Sequence, residues 1–183
     1  MKPSGKKILL GISASIAAYR ACDLITDLRA EGFAVTVVMT KDAHHFVTAL
    51  TLQSLAGSEV IEDFFSVPGR LKPVHIELAK QSDLILVAPA TADIIAKLAH
   101  GLADDVLSCT VLASEAKLVV VPAMNEKMLK NKFTQENIKR LKQNGAVFVS
   151  PIKGQLVCSV YGDGHIAENQ AILKAVHSSL KSK

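Results

Sequence analysis

The chain has 183 residues, of which 49% are hydrophobic and only 4% aromatic, and it carries a formal net charge of +4 at pH 7. This length favours a single domain over 1–183 with a core of aliphatic side chains. The charge is modest and no basic stripe has aromatic residues between its charges, which excludes a typical nucleic-acid-binding protein. No apolar run approaches the roughly 20 residues of a membrane-spanning helix, so we predict no membrane segment.

The cysteines Cys22, Cys109 and Cys158 are widely separated and form no C-x-x-C pair. Their odd number and their spacing indicate neither a disulfide framework nor a zinc site, and we predict no bound metal. A reducing, cytoplasmic setting fits this pattern best.

Apolar runs and helical patterns alternate along the chain. Runs rich in β-branched residues predict strands at 7–12, 33–39, 84–87, 118–121 and 146–149. Apolar residues at helical spacing predict helices at 16–30, 42–56 (in two pieces broken near 48–51), 75–80, 91–100, 104–114, 135–143 and 168–180. We predict a long loop at 58–73 and a flexible, glycine-containing flap at 151–164. The alternation predicts an α/β fold, a three-layer Rossmann-like domain with a parallel sheet in a flavodoxin-like layout.

Two of the predicted strands end in loops of small residues, where ligands bind in folds of this kind. Ser13 and Ser15 follow the first strand, and their hydroxyls with the amides of a helix start suit a phosphate. The same serines could simply cap that helix. In the second loop, Thr91 or Asp93 could cap the helix that follows. Neither loop is a G-x-G-x-x-G or a P-loop sequence, so dinucleotide and ATP motifs are absent.

The strand at 118–121 runs into Pro122-Ala123-Met124-Asn125. Asn125 could face the crevice at the strand ends, or it could only cap the next helix, because Asn is a preferred cap. Spacing alone leaves both interpretations open. His75 begins a predicted helix, where a lone histidine is more often structural than catalytic. Cys158 lies on the predicted flap, an unusual place for a residue type that is typically buried.

Several segments together resemble the flavin-containing cysteine decarboxylases, in particular the phosphopantothenoylcysteine decarboxylases of coenzyme A biosynthesis. In chain order they are GISASIAAYR, PVHIELAK, APATADIIAKLAHGLADD, PAMNEKM and SPIKGQLVCSVYGDGHIAE. The PAMNEKM segment matches the P-x-M-N-x-x-M pattern of that family, which the related flavin prenyltransferases lack. The resemblance covers nearly the whole chain in the order of the family.

The resemblance implies FMN bound at a subunit interface of a homotrimer, or of a dodecamer of four trimers. The residues it implies as FMN contacts are Ser13, Ala14, Ser15, Thr40, Thr91, Ala92, Asp93, Ile94 and Ala123. It further implies that Asn125 holds the substrate carboxylate, with Gln155, Leu156 and Val157 of the flap also contacting the substrate. His75 would act as a base, and Cys158 as a proton donor. A separate phosphopantothenate–cysteine ligase would be a partner.

The implied reaction starts from a small phosphorylated substrate that ends in cysteine. Oxidation of the thiol toward a thioaldehyde makes the carboxylate β to an electron-poor C=S bond, so CO₂ can leave as an enethiolate forms. The resemblance implies that FMN accepts the two electrons of this oxidation, that the reduced FMN later returns them as a hydride, and that Cys158 supplies the proton, which gives 4′-phosphopantetheine. An amide at Asn125 would orient the carboxylate without a fixed positive charge that opposes its loss.

The sequence departs from the family in two places. The family usually has a glycine where Ala14 and Ser15 stand, and its flap usually contains A-C-G-D where this chain has 157–160 as VCSV. Two alternatives therefore stay open, a peptidyl-cysteine decarboxylase and a non-enzymatic flavin-binding regulatory protein. Retention of Cys158 disfavours the first, and the altered flap keeps the second possible.

Overall fold

The computed structural model describes residues 5–64, 73–155 and 161–181. Five parallel strands form the central sheet: β1 (Lys7–Ile12), β2 (Ala34–Met39), β3 (Leu84–Ala90), β4 (Lys117–Pro122) and β5 (Val147–Phe148). Their order is β2-β1-β3-β4-β5, so the winding direction reverses between β1 and β3. This confirms the predicted parallel α/β fold, and a reversal of this kind opens a crevice at the carboxyl ends of the strands.

Helices connect these strands. In chain order they are α1 (Arg20–Ala30), α2 (Ala49–Ala56), α3 (Val74–Gln81), α4 (Ala92–His100), α5 (Val106–Ala113), α6 (Glu126–Lys130), α7 (Lys132–Gln143) and α8 (Asn169–Lys181). The predicted helix at 16–30 begins as a 3₁₀ turn, Ile16–Tyr19, before α1. The predicted break near 48–51 is confirmed, because a 3₁₀ helix Lys41–His45 precedes α2 and Thr48 caps α2 through the amide of Thr51 at 3.2 Å.

The helices form a layer on each face of the sheet, and alternate residues of β1 show why. Ile8, Leu10 and Ile12 are buried in a cluster with the apolar residues of α1, α2 and α8. Leu9 points to the other face and is buried with residues of α3, α4, α5 and α7. Because both faces are covered, the inner strands are apolar throughout, as parallel sheets require.

Strand β3 is longer than its apolar pattern predicts. All seven of its residues are buried, and it continues through Ala88, Pro89 and Ala90, which we predicted as a loop. The pairing with β4 shifts register after Val87 and resumes where Ala90 pairs with Pro122. Proline usually ends a strand because it donates no ladder hydrogen bond, and here an irregular register accommodates it.

The prediction of a loop throughout 151–164 is wrong. Strands β6 (Ile152–Gln155) and β7 (Tyr161–His165) pair antiparallel within that range, with Gly154 opposite Gly162. Glycine is depleted in strands, which is why the pattern here predicted a loop. The intervening residues 156–160 lie outside the described part of the chain.

The outer edge of β2 is covered by the segment that follows α2. Ser58 donates from Oγ to the carbonyl of Val35 at 3.2 Å. Ile61 donates its amide to Val37 and accepts the amide of Met39, both at 2.9 Å. Part of the predicted loop at 58–73 therefore pairs with the sheet. In the described segments, no helix has the length and apolarity to cross a bilayer.

Candidate active site

A cavity of about 570 Å³ opens at the carboxyl ends of β1, β3 and β4. It lies where the reversal in strand order predicts a ligand crevice, and its volume is in the range of small-molecule sites. The cavity brings together four of the predicted site residues, Ala14, Ser15, Thr91 and Ala123, with Asn125. These residues come from three separate strand ends, which meet at this one cavity.

Ser13 is only 2% exposed and is not among the residues that line this cavity. Its hydroxyl donates to the carbonyl of Pro89 at 2.8 Å and accepts the amide of Thr91 at 3.0 Å. The hydroxyl thus joins the loop after β1 to the loop after β3. The single hydrogen of this hydroxyl is used within the chain, so the predicted flavin contact at Ser13 Oγ would have to be an accepted hydrogen bond.

Ser15 lines the cavity and caps the 3₁₀ turn. Its Oγ accepts the amide of Ala17 at 3.3 Å and lies 3.5 Å from the carbonyl oxygen of Ala123. The backbone at Ser15 is extended, with φ −136°. A side chain is therefore unstrained at this position, and the serine in place of the usual glycine of the family carries no conformational cost.

The residues 91–94 divide into two groups. Thr91 lines the cavity and caps α4, accepting the amide of Ile94 at 3.3 Å. Asp93 points to solvent, where its carboxylate lies 3.7 Å from Lys97, and the side chain of Ile94 is buried in the core. The first amides of a helix have no partner within it, so Ala92 and Asp93 can offer backbone N–H groups to a ligand. Thr40 lies at the end of β2, beside β1, and donates its amide to Ile12 at 3.0 Å.

Asn125 both caps α6 and lines the cavity, so the two interpretations that the sequence left open hold together. Its Oδ1 accepts the amide of Lys127 at 2.9 Å, which caps α6, and the residue also lines the cavity. Met124 and Met128 lie beside it, and Met128 is about half exposed at 49%. The cap fixes the orientation of the amide group, so its place in the cavity is set by the backbone of α6.

Strand β7 lies against the Asn125 loop. The amide of Met124 donates to the carbonyl of Gly164 at 3.1 Å. Gly164 has φ +130°, and a Cβ built there would lie 2.1 Å from the carbonyl oxygen of Met124, so only glycine fits. Lys130 of α6 is paired with Glu126 and, at 3.3 Å, with Asp163 of β7. The downstream strand of the hairpin is thus held beside Asn125 by a backbone bond and an ion-pair network.

The remaining predicted flap residues are not placed by these contacts. Leu156, Val157 and Cys158 lie outside the described residues, and Gln155 is described only as the last residue of β6. Their predicted roles with the substrate stay predictions.

His75, the second residue of α3, is not among the residues that line the cavity. Its ring makes an edge-on contact with Phe64, with centroids 5.6 Å apart. Its Nδ1 is buried and has no hydrogen-bond partner in the described part of the chain. A buried ring nitrogen without a partner is costly, so the described residues leave one hydrogen-bonding group of His75 to be satisfied.

His165 lines the cavity and was not predicted from sequence. It comes directly after Gly164, which ends the predicted flap, and although the segment SPIKGQLVCSVYGDGHIAE contains it, the resemblance gave it no role. Only the pairing of β6 with β7 brings it to the cavity. Among the described residues, no cluster of His, Cys, Asp and Glu could hold a metal ion.

A model of the Flavoprotein family matches residues 1–181. The chain belongs to the Flavoprotein family. Among curated proteins it is 47% identical over 165 residues to the coenzyme A biosynthesis bifunctional protein CoaBC of Vibrio vulnificus, a match that covers 90% of this chain and 41% of that protein. It is 39% identical to CoaBC of Escherichia coli K12 over 94% of this chain and 43% of that protein. The chain therefore spans less than half the length of these relatives.

Solved structures agree with this assignment. The fold matches a mutant PPC decarboxylase complexed with pantothenoylaminoethenethiol, with a TM-score of 0.86 and 32% identity over 97% of this chain and all of that one. It also matches the FMN-binding protein AtHal3, with a TM-score of 0.82 and 32% identity over 97% of this chain and 98% of that one. The resemblance to flavin cysteine decarboxylases is confirmed.

Proposed function

We propose that this chain decarboxylates 4′-phosphopantothenoylcysteine to 4′-phosphopantetheine with FMN as cofactor, a step of coenzyme A biosynthesis. The observation that carries the proposal is Asn125, held at the mouth of a strand-end cavity within a fold that matches PPC decarboxylase along its whole length. The relatives named CoaBC support the same pathway.

The cavity suits FMN. Its floor is formed by small residues, among them Ala14 and Ala123, which let a flat ring approach the backbone. The start of α4, capped by Thr91, presents N–H groups and the positive end of a helix dipole, which favour a phosphate. When bound there, FMN would supply the acceptor and later the donor for two electrons.

Asn125 would hold the substrate carboxylate. Because its Oδ1 accepts the Lys127 amide, the NH₂ group is on the opposite side of the side chain, and an amide NH₂ donates to carboxylate oxygens. The group is neutral and fixed before the substrate arrives, so it orients the carboxylate at little entropic cost. Met124 and Met128 would exclude water from the same region, since both line the cavity with apolar surface.

A second copy of the chain would complete the site. His75 lies outside the cavity with a buried Nδ1, while Ile16 and Tyr19 at the cavity rim are each 54% exposed. Apolar rims of this kind mark interaction surfaces. We therefore propose a homotrimer, or a dodecamer built from four trimers, in which His75 of one subunit faces the cavity of the next and acts there as a base.

Mixed oligomers test this arrangement. The variants His75→Asn and Asn125→Asp, each inactive alone, are co-expressed with different tags, and the doubly tagged oligomers are isolated. If the site spans two subunits, each mixed trimer contains an interface with both native residues and activity returns. Mixed oligomers as inactive as their parents would place both residues in one subunit's site and contradict the proposal.

Cys158 would protonate the product in the last step, and Gln155, Leu156 and Val157 would contact the substrate from the hairpin. A Cys158→Ser variant should then release CO₂ but accumulate the enethiol, which has a mass two hydrogens below that of 4′-phosphopantetheine. If Cys158→Ser forms the thiol at the native rate, Cys158 is not the proton donor.

The direct test is an anaerobic assay of the purified, flavin-loaded protein with 4′-phosphopantothenoylcysteine. We expect a yellow protein that releases CO₂ and forms 4′-phosphopantetheine, identified by mass. The substrate would come from a phosphopantothenate–cysteine ligase, and a reducing compartment such as the cytoplasm suits a free thiol substrate. A yellow protein that decarboxylates only cysteine-ending peptides, or nothing, would refute the assignment.

A further inference from the structure

His165, the last residue of β7, lines the cavity beside the Asn125 loop. The bond between the Met124 amide and the Gly164 carbonyl places the residues that follow, Asn125 and His165, at adjoining points of the cavity wall. No role in the reaction proposed above has been given to this side chain.

Two sides of the His165 ring contact other residues of the chain. Its Nδ1 lies 3.0 Å from the carbonyl oxygen of Ile166, and because a carbonyl only accepts, Nδ1 carries a hydrogen. The edge formed by Cβ, Cγ and Cδ2 packs on β6, since a Cβ at Gly154 would lie 2.9 to 3.0 Å from these atoms. The Cε1–Nε2 edge is the part of the ring that these contacts leave for the cavity.

The charged groups around His165 allow its side chain to bind an anion. The described residues that line the cavity include no Asp, Glu, Lys or Arg, so His165 is the lining residue that can become cationic. On the elements packed around it the charged groups are Asp163 on β7, Lys153 on β6, and Glu126, Lys127 and Lys130 on α6. Lys130 pairs with both carboxylates, which offsets their negative charge.

We infer that Nε2 of His165 is a second ligand for the substrate carboxylate, beside Asn125. The inference rests on the proposed function, which brings a carboxylate to this point. An anion beside an imidazole favours the protonated ring, which donates from both nitrogens.

Three substitutions distinguish the role of the Nδ1 edge of the ring from the role of the Nε2 edge. His165→Asn keeps a donor near the position of Nδ1 for the Ile166 carbonyl but removes the cavity group. His165→Gln extends an amide toward the position of Nε2, and His165→Arg supplies a permanent cation there. A purely structural role would be retained best by Asn, and a role in the cavity by Gln and Arg.

Two unreactive ligands measure the contribution of the substrate carboxylate to binding. 4′-Phosphopantothenoylserine has a hydroxyl in place of the thiol and keeps the carboxylate, whereas 4′-phosphopantothenoylethanolamine lacks it. Their affinities for the FMN-loaded oligomer are measured by calorimetry, and the ratio of the two Kd values gives the preference for the carboxylate. A general loss of folding or of flavin weakens both ligands alike and leaves this ratio unchanged.

We expect His165→Asn to lower the preference for the carboxylate by about tenfold, as for one hydrogen bond to a charged group. Gln should retain part of the preference and Arg most of it. An unchanged ratio in His165→Asn would overturn the inference and leave the proposed function intact. Equal loss of affinity for both ligands leaves the ratio unchanged and would overturn the inference in the same way. If the wild-type protein binds neither ligand, the proposed function itself fails.

Discussion

The hydroxyl of Ser13 joins Pro89 to Thr91, donating to the carbonyl of one at 2.8 Å and accepting the amide of the other at 3.0 Å. Ser13→Ala should destabilise the protein by about 1–3 kcal/mol, because it leaves a buried amide without an acceptor. Since Thr91 caps α4 at the cavity, the affinity for flavin should fall together with the stability. Urea unfolding and fluorescence titration with FMN measure the two effects.

Ser15→Ala is the matched control. The hydroxyl of Ser15 makes longer hydrogen bonds, at 3.3 and 3.5 Å, and is less buried, so its loss should cost less than about 1 kcal/mol. If Ser15→Ala destabilises the protein as much as Ser13→Ala does, the bridge between the two loops is not the cause.

Asn125→Asp should separate the role of this residue as a helix cap from its proposed role in decarboxylation. Aspartate caps a helix as well as asparagine, so Oδ1 can still accept the Lys127 amide and the melting temperature should be nearly unchanged. A carboxylate in the cavity repels the substrate carboxylate, so CO₂ release should fall about 100-fold or more. Thermal unfolding and the decarboxylation assay check the two halves, and a variant that is stable and fully active would remove Asn125 from the site.

Gly164→Ala should destabilise the protein by more than about 2 kcal/mol. The new Cβ would lie 2.1 Å from the Met124 carbonyl oxygen, and φ is +130° there, so the strand must move away from the Asn125 loop. Gly145→Ala is the control, because Gly145 also has positive φ, +91°, but has nothing within 4 Å of a built Cβ. Its cost should be the backbone strain alone, about 1 kcal/mol. Equal costs for the two variants would contradict the close contact.

Asp83 should make the free energy of unfolding depend on pH in the acidic range. Lys6 donates from Nζ and Lys7 from its amide to this carboxylate, both at 2.7 Å, and these bonds, led by the one from Lys6, lower its pKa below the ordinary value. The stabilisation is therefore present above the unfolded pKa of about 3.9 and is lost as pH falls through the lower folded value. Asp83→Asn should be about 1 kcal/mol less stable at pH 7, and the difference should shrink below about pH 4.

Urea unfolding of both proteins across this pH range is the measurement. Asp93→Asn serves as the control, because its carboxylate is 75% exposed and lies 3.7 Å from Lys97, so its loss should change little. If the free energies of unfolding of wild type and Asp83→Asn differ by the same amount at every pH, the lowered pKa of Asp83 does not stabilise the fold.

The strands and the strand-end loops could be predicted from sequence because their signals are local. Buried parallel strands such as β3 and β4 are continuous apolar runs, and caps such as Thr91 and Asn125 follow directly from residue type. The β6–β7 hairpin was missed because Gly154 and Gly162 are poor strand residues that pair only in three dimensions. His165 was missed for the same reason, since its place at the cavity depends on that pairing and on the bond between Met124 and Gly164.

The position of His75 also escapes a local argument. The family resemblance groups it with Asn125, whereas within one chain it begins a helix on the other face of the sheet from α1 and α8. For the proposed site, the sequence therefore names residues without indicating which copy of the chain would supply each of them.

The segment that covers β2 has a consequence for how the protein behaves at high concentration. Exposed sheet edges recruit further strands and lead to aggregates. Here Ser58 and Ile61 occupy backbone groups of β2 at one edge, and β5 at the other edge has only two residues. Neither border of the central sheet offers a long template for a foreign strand. Copies of this chain can therefore crowd together through side-chain surfaces, as an assembly would require, with little risk of edge-to-edge polymerisation.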